Sequence, residues 1–162
     1  MVYNLSLERL EGWKNQVSAL LKSTRTATAW DPSVKDFVED LRQILKNVDG
    51  KTVSSAQIFL LGMSFGYAKQ AKVPKPPNNN DAVRLEYLRE DEVARMRMVA
   101  IAEAGSSDIL ESDEQVIDIA EQYANGGLAL LQAEKESNPA FKDWLISQLY
   151  LQTEAWVSSH GT

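Results

Sequence analysis

Apolar residues recur at three- and four-residue spacing along most of the chain, the repeat that gathers them on one face of a helix. Over Ser6–Ser23, Leu10, Trp13, Val17, Leu20 and Leu21 share such a face and predict a first helix. A Ser/Thr-rich stretch, Ser23–Thr28, reads as a turn. Asp31 as N-cap and Pro32 at the first helical position, where its missing N–H costs nothing, then open a second helix. Its face is Val34, Phe37, Val38, Leu41, Ile44, Leu45 and Val48, and Gly50 supplies the stop. The third helix starts near Ser54 or Ser55 and runs to about Gln70. It is apolar almost all round, from Ile58 to Tyr67, and a helix without a polar face belongs at the centre of a fold. A buried strand competes for Ile58–Leu61; the length and the paired serines favour helix.

Lys72–Asn80, with three prolines and three asparagines, is a loop of polyproline character. Val83–Leu88 reads as a short extended piece or as the lead-in to a fourth helix over Glu90–Ala104. Val93, Met96, Ala100 and Ile101 set the face of that helix and Gly105 ends it. Ser112-Asp113-Glu114-Gln115 fits a capping box. Behind it Val116, Ile119, Ala120, Tyr123, Gly127, Leu130 and Leu131 hold one face for four turns. Asn138-Pro139 caps a last helix carrying Phe141, Trp144, Leu145, Leu149 and Trp156. No alternating run is long enough to support a sheet, and no internal repeat is present. The expected fold is all-α: one domain over 1–162, an irregular bundle of about five to six helices, with 72–80 as an internal loop.

Glycines interrupt two of these helices. Gly62 and Gly66 lie four apart in the central one, and Gly126-Gly127 follow Asn125 in the capped one. An interior glycine costs about 1 kcal/mol relative to alanine, so something must compensate. At 100° per residue Gly127 falls on the apolar face and Asn125 on the opposite, solvent side. The favoured reading is an unbroken helix in which Gly127 admits another backbone, with Gly62 and Gly66, together with Ser55, forming the matching groove. Gly126, on the flank, should then tolerate alanine. The competing reading is a helix break with Gly126 as C-cap.

The 162 residues contain no cysteine and one histidine, His160, which excludes thiolate chemistry, histidine triads and multi-histidine metal sites. With 23 acidic and 17 basic residues the net charge is −6, which weakens the case for non-specific nucleic-acid binding. No signal-peptide pattern precedes Glu8. The longest nearly uncharged apolar run, Ala56–Ala68, is too short for the roughly 20 residues of a membrane span, so a cytoplasmic protein is expected.

Charge is uneven. Seven basic residues lie between Lys69 and Arg97, among them Lys69, Lys72, Lys75, Arg84 and Arg89, against five acids. These are the candidates for contact with nucleic acid or an acidic partner, and two solvated faces of opposite bias are the plainer reading. Tyr87 alone is interleaved for base stacking. Glu90, Asp91 and Glu92 suit a helix start. Asp108, Glu111 and Asp113 lack the spacing of an oxygen-ligand calcium loop. No phosphate-binding, dinucleotide or nucleophile-elbow motif occurs. A carboxylate-metal nuclease needs only acids and a lysine, but no strand offers suitable spacing. Trp13, Trp30, Trp144 and Trp156 read as packing anchors, with Trp156 alternatively an interface anchor. The expectation is no enzyme, no catalytic residue, no cofactor and no metal.

Two blocks carry a resemblance. I-F-L-L-G-M-S-F-G-Y, ending at Tyr67 and followed by Lys72 and Pro74, is one. I-A-E-A-G-S-S-D-I-L and then E-Q-Y-A-N-G-G-L, with Tyr123, Asn125, Gly126 and Gly127, is the other. Over about Val53–Gln132 they resemble the DNA phosphorothioation (Dnd) system-associated protein 4 family. The resemblance implies an accessory protein of a bacterial DNA-modification, restriction or anti-phage system, with proteins of that system as partners, and supplies no catalytic residues. The alternative it leaves is a DNA-binding adaptor or regulator using residues 69–97.

Overall fold

The structure, a computed structural model, describes residues 23–160, and of residues 47–49 and 152–160 the backbone alone. The predicted first helix with Trp13 lies, but for Ser23, outside the described residues, as does the side chain of Trp156. The described elements are β1 (Ala27–Trp30), α1 (Lys35–Asp49), α2 (Ser55–Ala68), β2 (Asn80–Arg84), α3 (Glu90–Ala104), α4 (Asp113–Ser137) and α5 (Phe141–His160). Single 3-10 turns at Pro32–Val34, Leu85–Tyr87 and Ser107–Glu111 join them.

The ends of the helices follow from local chemistry. The Asp31 carboxylate accepts from the Ser33 N–H at 2.9 Å, and the turn it opens runs on into α1. Ser54 and Gln57 form a reciprocal capping box at α2, at 3.1 and 2.8 Å. Gly50 and Gly105 end α1 and α3 in the left-handed region, at φ 75° and 69°. Asn138 caps the start of α5 through the Ala140 N–H, at 2.9 Å. Ile58–Leu61 is helical, and α2 buries Ile58, Phe59, Leu60, Met63 and Phe65.

The protein is mainly helical, but the expectation of no sheet is corrected. β1 and β2 pair antiparallel, with Ala27 opposite Arg84, Ala29 opposite Asp81 and Trp30 opposite Asn80. Three steps along β2 match two along β1, a bulge that Thr28 fills. Its hydroxyl donates to the Val83 carbonyl at 3.3 Å and accepts from the Val83 N–H at 3.2 Å. β1 is buried at all four positions, so it shows no alternation, and its composition imitates a turn. Its partner is about fifty residues away, so no hairpin turn announces the pair.

α4 is the axis of the molecule and packs most extensively on α2. It runs unbroken through Gly126-Gly127. Between Glu121 and Leu128 it is buried on nearly every side, because α2, β1 and the chain after α2 all lie against it. Two expectations fail for that reason. Asn125 is not on a solvent face; it is 1% exposed. Leu130, expected inside, is 40% exposed where the covering ends. Trp30 is buried in β1, and Trp144 stacks on Phe141 and meets Phe65 edge-on. Among the described residues no helix is long and apolar enough to cross a membrane.

Candidate functional site

The two blocks singled out in the sequence meet at the crossing of α2 and α4. A Cβ on Gly127 would stand 2.6 Å from the Gly66 nitrogen and closer still to the Gly62 carbonyl. A Cβ on Gly66 would stand 2.9 Å from the Gly127 nitrogen, and one on Gly62 2.9 Å from the Ala124 carbonyl. No side chain fits between these backbones; the cost of three helical glycines is offset by the close approach they permit.

Gly126 serves a second contact on the flank of α4. Gln70 adopts φ 53°, its N–H bonds the Tyr67 carbonyl, and the Ala71 N–H bonds the Gly66 carbonyl. This is a Schellman ending with glutamine where glycine is usual. It turns Ala71 and Lys72 across α4, and the Val73 N–H bonds the Gln122 carbonyl at 2.9 Å. A Cβ on Gly126 would collide with the Ala71 carbonyl. The expectation that Gly126 tolerates alanine is therefore corrected: its flank is covered by backbone, not by water.

Lys72 then reaches Glu103 of α3, which also accepts from the Tyr123 hydroxyl. The Lys72 ammonium lies 5.2 Å from the Tyr123 ring centroid, and Tyr67 meets Tyr123 edge-on at 5.3 Å. The bond from Lys72, helped by that from Tyr123, holds the Glu103 carboxyl below its ordinary value. Burial, and then Glu103, push the Tyr123 phenol well up, so it stays a donor.

A polar stripe runs along the other side of α4. Glu114, Asp118, Glu121 and Asn125 follow at four-, three- and four-residue spacing, one helical face. Arg25 lies across it, bonding Asp118 at 2.9 Å and the buried Glu121, with Glu114 at 4.0 Å. The Ala29 N–H donates to Glu121 Oε1 at 2.6 Å and the Asp31 N–H to Asn125 Oδ1 at 3.0 Å. The first N–H is on the edge of β1 and the second just past the strand's end, and backbone N–H groups left unpaired in the interior would be costly. Two side chains of α4 do what a third strand would. Burial pushes the Glu121 carboxyl up, against the pull of Arg25 and the Ala29 N–H. At the end of the stripe the Ser23 hydroxyl holds the Glu114 carboxyl down.

The basic candidates are not gathered into one patch. Lys69 sits 5.9 Å from the Phe65 ring centroid. Lys72 is engaged with Glu103, and Lys75 lies on the side of Glu114 and Glu121, within reach of a weak attraction to each. Arg84 pairs with Glu86 at 3.4 Å, and Arg89 with Asp91 at 3.4 Å and Glu92 at 3.2 Å. Arg84 and Arg89 line one open depression beside Ser54, Ser55 and Tyr87. Among the described residues no group of three or more acidic or histidine side chains is placed to hold a metal ion.

Glu121, Glu103, Arg25 and Thr28 were not foreseen. The signal for Glu121 was there: an acid one turn before Asn125, on a helix otherwise closely packed. Nothing local tied Glu103 to Tyr123 or Arg25 to α4.

The sequence pattern of one known family, DNA sulphur modification system-associated protein 4, matches residues 33–160. The chain belongs to that family. The match is wider than the Val53–Gln132 blocks and takes in α1 and α5. Within it lie the whole glycine crossing, the Tyr123–Glu103–Lys72 cluster, and Glu121 and Asn125; Arg25 and β1 precede it. Membership implies association with a DNA sulphur modification system. No curated protein and no solved structure matches the chain.

Proposed function

We propose that the protein is a non-catalytic accessory component of a bacterial DNA phosphorothioation system, linked to restriction and anti-phage defence, and that it acts through contacts with other proteins of that system. The observation that carries this reading is how the family blocks are used. Tyr123, Asn125, Gly126 and Gly127 are all buried and spent on internal contacts. Their chemistry supports a rigid scaffold rather than a reaction centre, which needs groups open to substrate. A scaffold encoded with a modification system has its exposed surface left for partners.

The test is co-expression of the tagged full-length protein with each protein of the phosphorothioation operon, followed by affinity capture and size-exclusion chromatography. A stable complex with one of them is expected. Capture of none, together with turnover of a DNA substrate by the isolated protein, would overturn the reading. A DNA-binding adaptor is the second reading, and Arg84 and Arg89 in one depression with exposed Tyr87 favour it; both arginines lie beside carboxylates, which argues for weak binding.

A further inference from the structure

Between α2 and β2 the chain is stiffened by three prolines, Pro74, Pro76 and Pro77. Each proline fixes its own φ near about −65°. Each also holds the residue before it extended, here Val73, Lys75 and Pro76. Residues 71–76 accordingly form no helix, strand or turn. An extended path of this kind, the polyproline II helix, repeats about every three residues. The exposure follows that repeat: Val73 and Pro76 are half-buried, while Pro74 with Pro77, and Lys75 with Asn78, form two exposed ridges. We propose, on the accessory reading above, that this segment is a docking ligand whose Pro74–Pro77 ridge inserts into a groove lined by aromatic side chains on another protein of the modification system.

Three observations favour this role. The first is that the segment is pinned at both ends. The Ala71 N–H bonds the Gly66 carbonyl at 2.8 Å and the Val73 N–H the Gln122 carbonyl at 2.9 Å. At the other end Asn79 Nδ2 donates to the Pro76 carbonyl at 3.1 Å, and β2 begins at Asn80. A ligand already held in its bound shape loses little freedom on binding. The second is that internal packing does not account for the prolines, since the rings of Pro74 and Pro77 are exposed. The third is chemistry. Proline has no N–H, so the segment is closed to strand pairing. Its rings and carbonyls are what it offers, and aromatic grooves read those. Lys75, exposed between the two prolines, adds a preference for an acid at the edge of the groove. Gly126 ties the segment to the family core: it admits Ala71 across α4 and so sets where the segment leaves the surface.

The test uses the full-length protein and the operon protein that it captures, titrated by calorimetry. Pro74→Ala with Pro77→Ala removes the outward rings; Asn78→Ala, on the other exposed ridge, is the control. The double variant should bind about tenfold more weakly or worse, the control as tightly as the native protein, and Lys75→Glu more weakly. Circular dichroism checks that each variant is folded. A second measurement leaves the prolines in place: a photoreactive benzophenone amino acid in place of Asn78 should cross-link to the partner beside aromatic residues, and one in place of exposed Glu136 on α4 should not. Unchanged affinity in the double variant, an equal loss in the control, or a cross-link to a surface without aromatic residues would overturn the proposal and leave the accessory reading standing. Capture of no operon protein at all would remove both.

Discussion

Gly127 and Gly126 look alike in sequence and are held by different neighbours. Gly127 faces the backbone of α2; Gly126 faces Ala71 and Lys72. Gly127→Leu should destabilise by overpacking, about 1–3 kcal/mol or more, and Gly126→Ala should lose stability rather than gain helix propensity. Urea denaturation of the two variants checks both, and a stable Gly126→Ala would mean that the chain after α2 does not cross α4 as described. The carboxyls make a second residue-scale prediction. Glu103 is held below its ordinary 4.5, so its contribution is present above that pH and fades as pH falls through the lowered value. Glu121 has the opposite sign: its carboxyl is raised, so ionising it as pH rises costs stability. Glu103→Gln should therefore flatten the loss of stability below about pH 4.5, read from urea midpoints across an acid series.

At the scale of elements, β1 is the part most dependent on side chains from elsewhere. One edge pairs with β2 across a bulge; the other is bonded by Glu121 of α4, and the N–H just past the strand's end by Asn125. Arg25 closes the arrangement by neutralising Glu121. Arg25→Met would leave a buried carboxylate without its cation, an event that costs about 3–5 kcal/mol when both partners are fully buried. Arg25 keeps some contact with water, so the lower end of that range is expected. Adding Glu121→Leu should recover part of the loss, because the unpaired charge then disappears. Chemical denaturation of the single and double variants measures the difference. No recovery would show that Glu121 matters to β1 mainly as an acceptor for Ala29.

For the molecule as a whole, charge placement decides more than charge count. The net charge of −6 repels phosphate, and Lys72, Arg84 and Arg89 are each engaged with a carboxylate. Non-specific duplex DNA should bind with a dissociation constant no tighter than about 10⁻⁵ M at about 150 mM salt. A fluorescence-anisotropy titration reaching the nanomolar range would promote the DNA-binding reading above the proposed one. Added Mg²⁺, Mn²⁺ or Ca²⁺ should leave the melting temperature where it is. A rise of several degrees with any of them would reveal a cation site and reopen the case for metal chemistry.

The helices were legible because each carries its own instructions. Asp31-Pro32, Ser54 with Gln57, Gly105 and Asn138 act within a few residues, and the apolar period is a property of the segment itself. The continuity of α4 through two glycines could be read from the phase of its apolar face. The paired strands could not, since β1 and β2 are short, far apart and without a shared turn. The same holds for Asn125. A helical wheel of α4 alone places it opposite the apolar face; it is buried because β1, remote in sequence, lies there with N–H groups to satisfy. Tyr123, Glu103 and Lys72 likewise come from three segments that only the folded chain brings together. Local periodicity and capping belong to the sequence; which polar group is buried, and by whom it is satisfied, belongs to the tertiary structure, because a hydrogen bond between distant segments leaves no trace in either one.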